Sequence, residues 1–198
     1  MSYELRTPLN TIVGFSEILT GEYFGDLNER QTKYGKGIYE SSQRLLSLID
    51  DILDLATIES GHMSLELETV DVHVLLDSVL GLTRERVLRK SLKLDFDCPE
   101  EIGLILADER RLKQALFNIL SNSVKFTPEE GEITVSARRV EDNIVITFTD
   151  TGIGIPVEDQ ARIFGRFERG DQPGARRTGV GLGLSLVQSF IKLHGGDV

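Results

Sequence analysis

The feature that most limits how this chain folds is a seven-residue pattern of apolar side chains in its first third. The spacing alternates between four and three residues, which is typical of a coiled-coil seam. It runs through two segments: Leu5, Leu9, Ile12, Ser16 and Leu19, then Tyr34, Ile38, Ser41, Leu45, Leu48, Ile52 and Leu55. Gly21, Gly25 and Asp26 interrupt the pattern between the segments. The sequence therefore predicts two helices joined by a short loop, an antiparallel hairpin.

The ends of the second helix and the need for a partner also follow from the sequence. Asn28 is a suitable N-cap and Gly61 a suitable C-cap. A lone hairpin leaves one apolar face uncovered, so we expect two copies to pair into a four-helix bundle through residues 1–62, as a homodimer. The alternative is packing within one chain. Gly35 and Gly37 lie inside this helix at a cost of about 1 kcal/mol each relative to alanine, and the sequence offers no reason for them.

The pattern changes near residue 65 to a mixture of strands and helices. Strands are predicted at 64–70, 92–97, 102–106, 132–140 and 143–150. Helices are predicted at 72–89, 109–125, 157–163 and 181–194. Because these elements lack a regular βαβ rhythm, residues 65–198 are expected to form an open mixed sheet with helices on one face. The predicted class is α+β, a helical hairpin followed by an α/β sandwich.

Composition excludes several classes of function. The chain has 22 Lys and Arg against 32 Asp and Glu, a net charge of −10, which disfavours binding to nucleic acid. Cys98 is the single cysteine, so an internal disulfide or a cysteine-based zinc site is excluded. No apolar run approaches the roughly 20 residues that span a bilayer, and no signal peptide precedes the first helix. We expect a cytoplasmic chain; an inner-membrane anchor of the parent protein would lie outside these residues.

Two asparagines and a lysine form the first motif with chemical meaning. Asn118 and Asn122 are four residues apart and share one face of a predicted helix, with Lys125 close by. Neutral oxygen ligands suit Mg²⁺, which keeps several waters and shares the phosphates of a substrate. Taken alone, such a pair is more often surface decoration.

Two glycine-rich segments form the second and third motifs. Asp150-Thr-Gly152-Ile-Gly154 leaves a predicted strand, where a carboxylate can accept a hydrogen bond from a base amine while glycine backbone approaches the ligand. Gly179-Val-Gly181-Leu-Gly183 opens a predicted helix, whose N-terminal amides favour phosphate. Each segment alone could be an ordinary turn or cap.

In this order and spacing, the motifs resemble the ATP-binding domain of histidine kinases, a group shared with gyrase B, Hsp90 and MutL. The resemblance covers about residues 65–198 and includes a phenylalanine box at Ile163–Phe167. It implies that ATP or ADP binds with Mg²⁺. The residues carried over as nucleotide-binding are Asn118, Asn122, Lys125, Asp150, Gly152, Gly154, Gly179, Gly181, Gly183 and Leu184.

The resemblance also implies individual roles. Asp150 would recognise adenine, Asn122 would hold Mg²⁺, and Asn118 and Lys125 would contact phosphates. Residues 168–178 correspond to a mobile lid, whose three arginines (169, 176 and 177) could reach phosphates or form a solvated cluster. The family's domain normally continues into one more hairpin after Val198, so we expect this sequence to stop short of the domain end.

The first helix resembles the family's histidine box, with one departure. Residues 2–10 match the box, but Tyr3 stands where the family has its phospho-accepting histidine. This replacement is similar to that of an alphaproteobacterial cell-cycle regulator described as a tyrosine kinase homologue. The resemblance makes Glu4 the base for phosphotransfer and Thr7 a residue that aids dephosphorylation of a response regulator. Helix geometry places Tyr3, Thr7 and Asn10 opposite the apolar seam.

Two functions remain open from the sequence. The first is a pseudokinase-like signalling protein of a two-component phosphorelay controlling the cell cycle, which binds Mg-ATP and a response-regulator receiver domain. Another histidine kinase is a further candidate partner. The second is an active kinase that phosphorylates Tyr3 or a response regulator. A phenol with a pKa of about 10 must lose its proton to attack phosphorus, whereas an imidazole with a pKa of about 6.5 already offers a lone pair. This difference favours the first function.

Overall fold

The computed structural model describes residues 2–168 and 180–198, with side chains from residue 4 onward. It divides into two units, Met1–Met63 and Ser64–Val198. Helix α1 (Ser2–Thr20) and helix α2 (Glu29–Glu59) form the first unit. Arg6 near the start of α1 pairs with Asp50 near the end of α2, with its guanidinium 2.7 Å from the carboxylate. The two helices therefore run antiparallel, as predicted.

Local capping sets the ends of α2. The side chain of Asn28 accepts a hydrogen bond from the Gln31 backbone N–H at 3.0 Å, and the Gln31 side chain accepts from the Asn28 N–H at 3.0 Å. This reciprocal capping box confirms the predicted N-cap. At the other end, Gly61 follows the C-cap Ser60 with a φ of 69°, a conformation that glycine adopts without a steric penalty.

The heptad seam is only partly buried within the hairpin. Three of its residues, Leu9, Ser16 and Leu55, are buried, and the hairpin also buries Gly35 and Ser42, which lie next to the predicted positions Tyr34 and Ser41. A second set, which we call the outer apolar stripe, recurs every seventh residue on each helix and is 43–52% exposed: Leu5, Ile12, Leu19, Ile38, Leu45 and Ile52. One hairpin therefore covers only the inner half of its own seam.

The second unit alternates strands and helices. Its strands are β1 (Glu68–Asp71), β2 (Lys93–Asp97), β3 (Leu104–Ala107), β4 (Glu132–Val140) and β5 (Asn143–Asp150). Its helices are α3 (Val72–Arg89), a 3-10 turn (Glu100–Ile102), α4 (Glu109–Phe126), α5 (Val157–Gln160) and α6 (Gly183–Leu193). Strand β2 pairs parallel to β4, and β4 pairs antiparallel to β5, while β1 and β3 form a separate antiparallel pair.

The core lies between one face of the three-stranded sheet and the long helices. Strand β4 buries alternate residues, among them Val135, and its partners in register, Phe96 and Phe148, share that face. Helices α3 and α4 contribute Val72, Leu75, Leu76, Val79, Leu112, Leu116 and Leu120. Helix α6 buries Leu186, Val187 and Phe190 and contacts α4. This arrangement confirms the predicted class, a helical hairpin followed by an α/β sandwich.

Several predicted element boundaries were wrong. The first predicted strand begins only at Glu68, because the N–H of Glu66 donates to the Asp108 carboxylate instead of to a strand. The strand predicted at 102–106 starts later, at Leu104, after the 3-10 turn. The five strands form two sheets among the described residues, not one. The fifth helix ends at Gln160, and the last begins at Gly183. None of the described helices is both long and apolar enough to cross a membrane.

Candidate functional site

Helix α4 carries the asparagine motif and is fixed at its start by Asp108. One carboxylate oxygen of Asp108 accepts from the Arg111 N–H at 3.0 Å, which caps the helix, and the other accepts from the Glu66 N–H at 3.1 Å. Asn118 and Asn122 lie one turn apart on α4 and are both half-buried. The amides therefore share one helix face, as the spacing predicted.

The first glycine motif lies against the end of α4. The Ile153 N–H donates to the Phe126 carbonyl at 3.4 Å. A Cβ on Gly152 would come within 3.0 Å of the Phe126 oxygen and 2.6 Å of the Asp150 carboxylate. No side chain fits there, so only glycine lets the backbone pass this close to the helix end. The Phe126 carbonyl was not identified from the sequence.

Asp150 is the last residue of strand β5, and its side chain lies on the core-facing side of the sheet. It pairs in register with the buried Ile133, so the two side chains point to the same side of the sheet. Asp150 itself is exposed, and one of its oxygens accepts from the Gly152 N–H at 3.0 Å. The carboxylate is thus oriented at the strand end, where it can accept a hydrogen bond from a ligand.

The second glycine motif contacts α4 at Asn118, one turn before Asn122. The amide nitrogen of Asn118 donates to the Gly183 carbonyl at 3.4 Å, where α6 begins. A Cβ on Gly183 would lie 3.6 Å from the Asn118 side chain. The first turn of α6 therefore lies beside an amide of the asparagine motif, and helix N-termini attract anions.

The phenylalanine box contacts the same glycine motif. The Phe167 N–H donates to the Gly181 carbonyl at 3.0 Å, and a Cβ on Gly181 would be 2.5 Å from the Glu168 carbonyl. Gly181 also has a φ of 79°, which disfavours any other residue. Gly179 and the three arginines of the predicted lid lie outside the described residues.

Together these contacts bring four sequence motifs to one place in the second unit. Its polar groups are the Asp150 carboxylate, the two asparagine amides and the N-terminal backbone of α6, beside Leu184. Lys125 lies at the end of α4, where its ammonium is 4.4 Å from the centre of the Phe126 ring. These groups fit a nucleotide. The carboxylate can accept a hydrogen bond from a base amine, the amides and the lysine can bind phosphates, and the neutral Asn122 oxygen can bind Mg²⁺. Within residues 2–168 and 180–198, no three His, Cys, Asp or Glu side chains group as a metal cage.

The residues of the histidine box lie on α1. Glu4 and Thr7 are exposed there, and the Thr7 carbonyl accepts from the Thr11 hydroxyl at 3.0 Å. The backbone of Tyr3 is helical, and its side chain lies outside the described part of the chain. Asn10 is exposed as well, so Thr7 and Asn10 both avoid the buried half of the seam, as predicted.

Comparison with known protein families identifies both units. Residues 1–61 match the His Kinase A (phospho-acceptor) domain. Residues 107–198 match the histidine kinase-, DNA gyrase B- and HSP90-like ATPase domain. The second match includes every residue that the sequence singled out for nucleotide binding.

Similar proteins cover the whole chain. The "Non-motile and phage-resistance protein" of Caulobacter vibrioides is 46% identical over 99% of this chain and 24% of its own length. The sensor protein DivL of the same organism is 40% identical over 100% of this chain and 25% of its own length. The chain thus spans about a quarter of these relatives.

A solved structure shows the same fold. The crystal structure of full-length ShkA in complex with AMPPNP has a TM-score of 0.77 and 33% identity, covering 98% of this chain and 40% of that one. The two domain matches occur in the same order as the hairpin and the α/β unit. The chain therefore belongs to the histidine kinase family and carries its phospho-acceptor and ATPase domains.

Proposed function

We propose that this chain is the core of an atypical histidine-kinase-family protein that acts in a two-component phosphorelay controlling the cell cycle. In this proposal it binds Mg-ATP or ADP and a response-regulator receiver domain, and Tyr3 replaces the phospho-accepting histidine. The observation that carries the nucleotide part is the convergence of the glycine motifs on helix α4. The similarity to ShkA, whose structure contains AMPPNP, supports it.

Each polar group has a distinct task in nucleotide binding. Asp150 accepts a hydrogen bond from the adenine amine, and the glycine backbone at 152 and 154 allows the base to approach. Asn118, Lys125 and the start of α6 bind phosphates, and Asn122 supplies a ligand to Mg²⁺. The metal, when bound, neutralises phosphate charge, while these side chains fix the orientation of the nucleotide.

The hairpin supplies the protein-binding part of the function. The exposed positions Glu4, Thr7 and Asn10 lie on one helix and offer polar groups to a receiver domain. The outer apolar stripe is the surface through which we propose a homodimer forms, because a second hairpin would cover it. Another histidine kinase is a further candidate partner.

The phenol at Tyr3 argues for a role in binding over ordinary phosphotransfer. Transfer to Tyr3 would form a bond between its oxygen and the γ-phosphorus of ATP and release ADP, with the phenol proton passing to Glu4. A carboxylate is a weak base for a phenol, and a tyrosine phosphate ester is a poor donor to aspartate. The alternative is an active kinase that modifies Tyr3 or a response regulator.

Nucleotide binding is tested with Asp150→Asn. The amide replaces one carboxylate oxygen by a donor, so it pairs poorly with an adenine amine, and we expect ADP affinity to fall at least tenfold. Calorimetry with ADP and Mg²⁺ measures the affinity, and circular dichroism verifies the fold. Asp142→Asn, in the turn between β4 and β5, is the matched control. Failure of the wild-type chain to bind millimolar ADP would contradict the proposal.

The role of Tyr3 is tested with Tyr3→Phe, which removes the hydroxyl but keeps the ring. If the function is binding, Tyr3→Phe keeps the affinity of the chain for receiver domains. Incubation with labelled ATP then gives no acid-stable label on the wild type or on the variant. Acid-stable label on Tyr3 in the wild type, lost in Tyr3→Phe together with cellular function, would establish the active kinase instead. Tyr3→Glu is expected to impair docking in the first case.

A further inference from the structure

The carbonyl groups at the end of helix α4 need hydrogen-bond donors from outside the helix. A helix leaves its last four carbonyls without intrahelical donors. In α4 these belong to Ser123, Val124, Lys125 and Phe126. The Ser123 oxygen accepts from the Thr127 N–H at 3.0 Å and from the Thr127 hydroxyl at 2.6 Å. The Phe126 oxygen accepts from Ile153, as described above, which leaves the other two.

Pro128 prevents the chain after α4 from supplying a backbone donor to the Val124 carbonyl. Proline has no N–H, so it cannot donate to the Val124 carbonyl one helical turn before it. It also disfavours helical backbone at the preceding residue, and Thr127 is extended with a ψ of 128°. The helix therefore cannot continue and satisfy these carbonyls by itself.

Lys90 satisfies them from the neighbouring helix. Its ammonium donates to the carbonyls of Val124 at 2.9 Å, Lys125 at 2.9 Å and Thr127 at 2.7 Å. An ammonium has three N–H groups, so all of them are used. Lys90 is the C-cap of α3 and half-buried, and its own carbonyl accepts from the Glu130 N–H at 3.1 Å. Its positive charge also lies at the negative end of the α4 dipole.

The same helix end forms one side of the candidate nucleotide site. Asn122 lies one turn before it, and the Asp150–Gly154 segment contacts the Phe126 carbonyl. We infer that Lys90 is a positioning residue: by binding the end of α4, it sets the placement of the Asn122 amide relative to the Asp150 segment. This inference rests on the proposed nucleotide-binding function.

Lys90→Met tests the inference, because methionine keeps an unbranched chain of nearly the same length and removes all three donors. We expect the Kd for ADP with Mg²⁺ to rise about tenfold, since charge-assisted hydrogen bonds are lost behind the site. In the nucleotide-free chain, amide hydrogen exchange at Ile153 should become faster. Lys90→Arg, which retains a cation with several donors, should recover much of both effects.

Two control variants separate positioning from other effects. Lys93→Met removes the same charge three residues away, where the ammonium is exposed and faces Asp95 at 3.3 Å and Glu132 at 3.5 Å. Val79→Ala removes both methyl groups at a fully buried core position of α3, eleven residues before Lys90, and so lowers the stability of the unit in general. Both are expected to keep the wild-type Kd and the wild-type exchange rate at Ile153.

The outcomes distinguish the inference from the proposed function. If the wild type does not bind ADP, the proposed function fails, and the exchange rate at Ile153 alone decides whether Lys90 positions this segment. If the wild type binds and Lys90→Met binds equally well, the inference is overturned. It is also overturned if Val79→Ala weakens ADP binding as much as Lys90→Met, or if both Lys90 variants are unfolded, because Lys90 would then act through general stability.

Discussion

At the scale of single residues, Asp108 shows how one side chain orients the helix that carries the site. Burial raises the pKa of this carboxyl. Hydrogen bonds from the N–H groups of Arg111 and Glu66, together with the charges of Arg110 and Arg111, lower the pKa by more than burial raises it, so it lies below its ordinary value. The Asp108 N–H also donates to the His194 ring at 3.0 Å, which joins the start of α4 to the end of α6.

This lowered pKa predicts a dependence of stability on pH. A carboxyl with a lower pKa in the folded state stabilises the fold above its unfolded pKa of about 3.9, and this contribution is lost as the pH falls through the folded value. Asp108→Asn should therefore lower the free energy of unfolding at pH 7 by about 1–2 kcal/mol, since one oxygen acceptor becomes a donor. Below about pH 4 the difference from wild type should shrink.

Urea unfolding between pH 3 and pH 7 measures this difference. Glu109→Gln is the control, because it neutralises the adjacent exposed carboxylate and leaves the capping contacts in place. An Asp108→Asn variant whose deficit stayed constant across this range would show that ionisation of Asp108 does not stabilise the fold.

At the scale of elements, the hairpin explains one of two glycines in α2. Gly35 is buried, and a Cβ there would lie 2.9 Å from the Thr20 methyl. The Thr20 hydroxyl donates to the Ser16 carbonyl at 2.9 Å, which restricts rotation of that side chain. Gly37 has nothing within 4 Å of the corresponding position. Close approach of the two helices therefore requires the first glycine and not the second.

The two glycines make a matched pair of variants. Gly37→Ala should raise the free energy of unfolding of the hairpin by about 0.5–1 kcal/mol, because alanine favours helix over glycine. Gly35→Ala should lower it, because the added methyl meets Thr20 and outweighs the same gain in helix propensity. Thermal unfolding followed by circular dichroism compares them. Equal stabilisation by both substitutions would refute close packing at Gly35.

At the scale of the whole molecule, the outer apolar stripe predicts the oligomeric state. Ile52 is 49% exposed in one chain, so Ile52→Asp places a charge on the stripe without disturbing the inside of the hairpin. Leu48 is less exposed, and Leu48→Asp would damage the hairpin itself as well. We expect Ile52→Asp to convert a dimer into a monomer that retains its helical content, because a buried unpaired charge is costly.

Light scattering at micromolar concentration measures this conversion. Ser47→Asp adds the same charge at an exposed position of α2 away from the stripe, and it should remain dimeric. A wild-type chain that is a folded monomer under these conditions would contradict the dimer.

Much of the fold follows from local rules that the sequence states directly. The 3.6-residue period predicted α3 and α4 to within one residue, and the two-residue period predicted the strands at 132–140 and 143–150 with their observed bounds. Such elements are predictable because hydrogen bonds inside a helix or hairpin join residues close in sequence. The capping box at Asn28 and the one-turn spacing of Asn118 and Asn122 are local in the same sense. Motif order then identified the family, although the roles of the individual residues remain predictions.

Tertiary structure decided what depends on contacts between distant segments. Periodicity shows that a seam is apolar, but only packing of α1 on α2 separated its buried residues from the outer stripe. The division of five strands into two sheets depends on which edges meet, and the shortened first strand depends on Asp108, 42 residues away from Glu66. Likewise, Pro128 indicates a helix whose last carbonyls lack donors. Only the fold shows that Lys90 and Ile153 supply those donors, because a hydrogen bond between residues far apart in the chain produces no periodic pattern in the sequence.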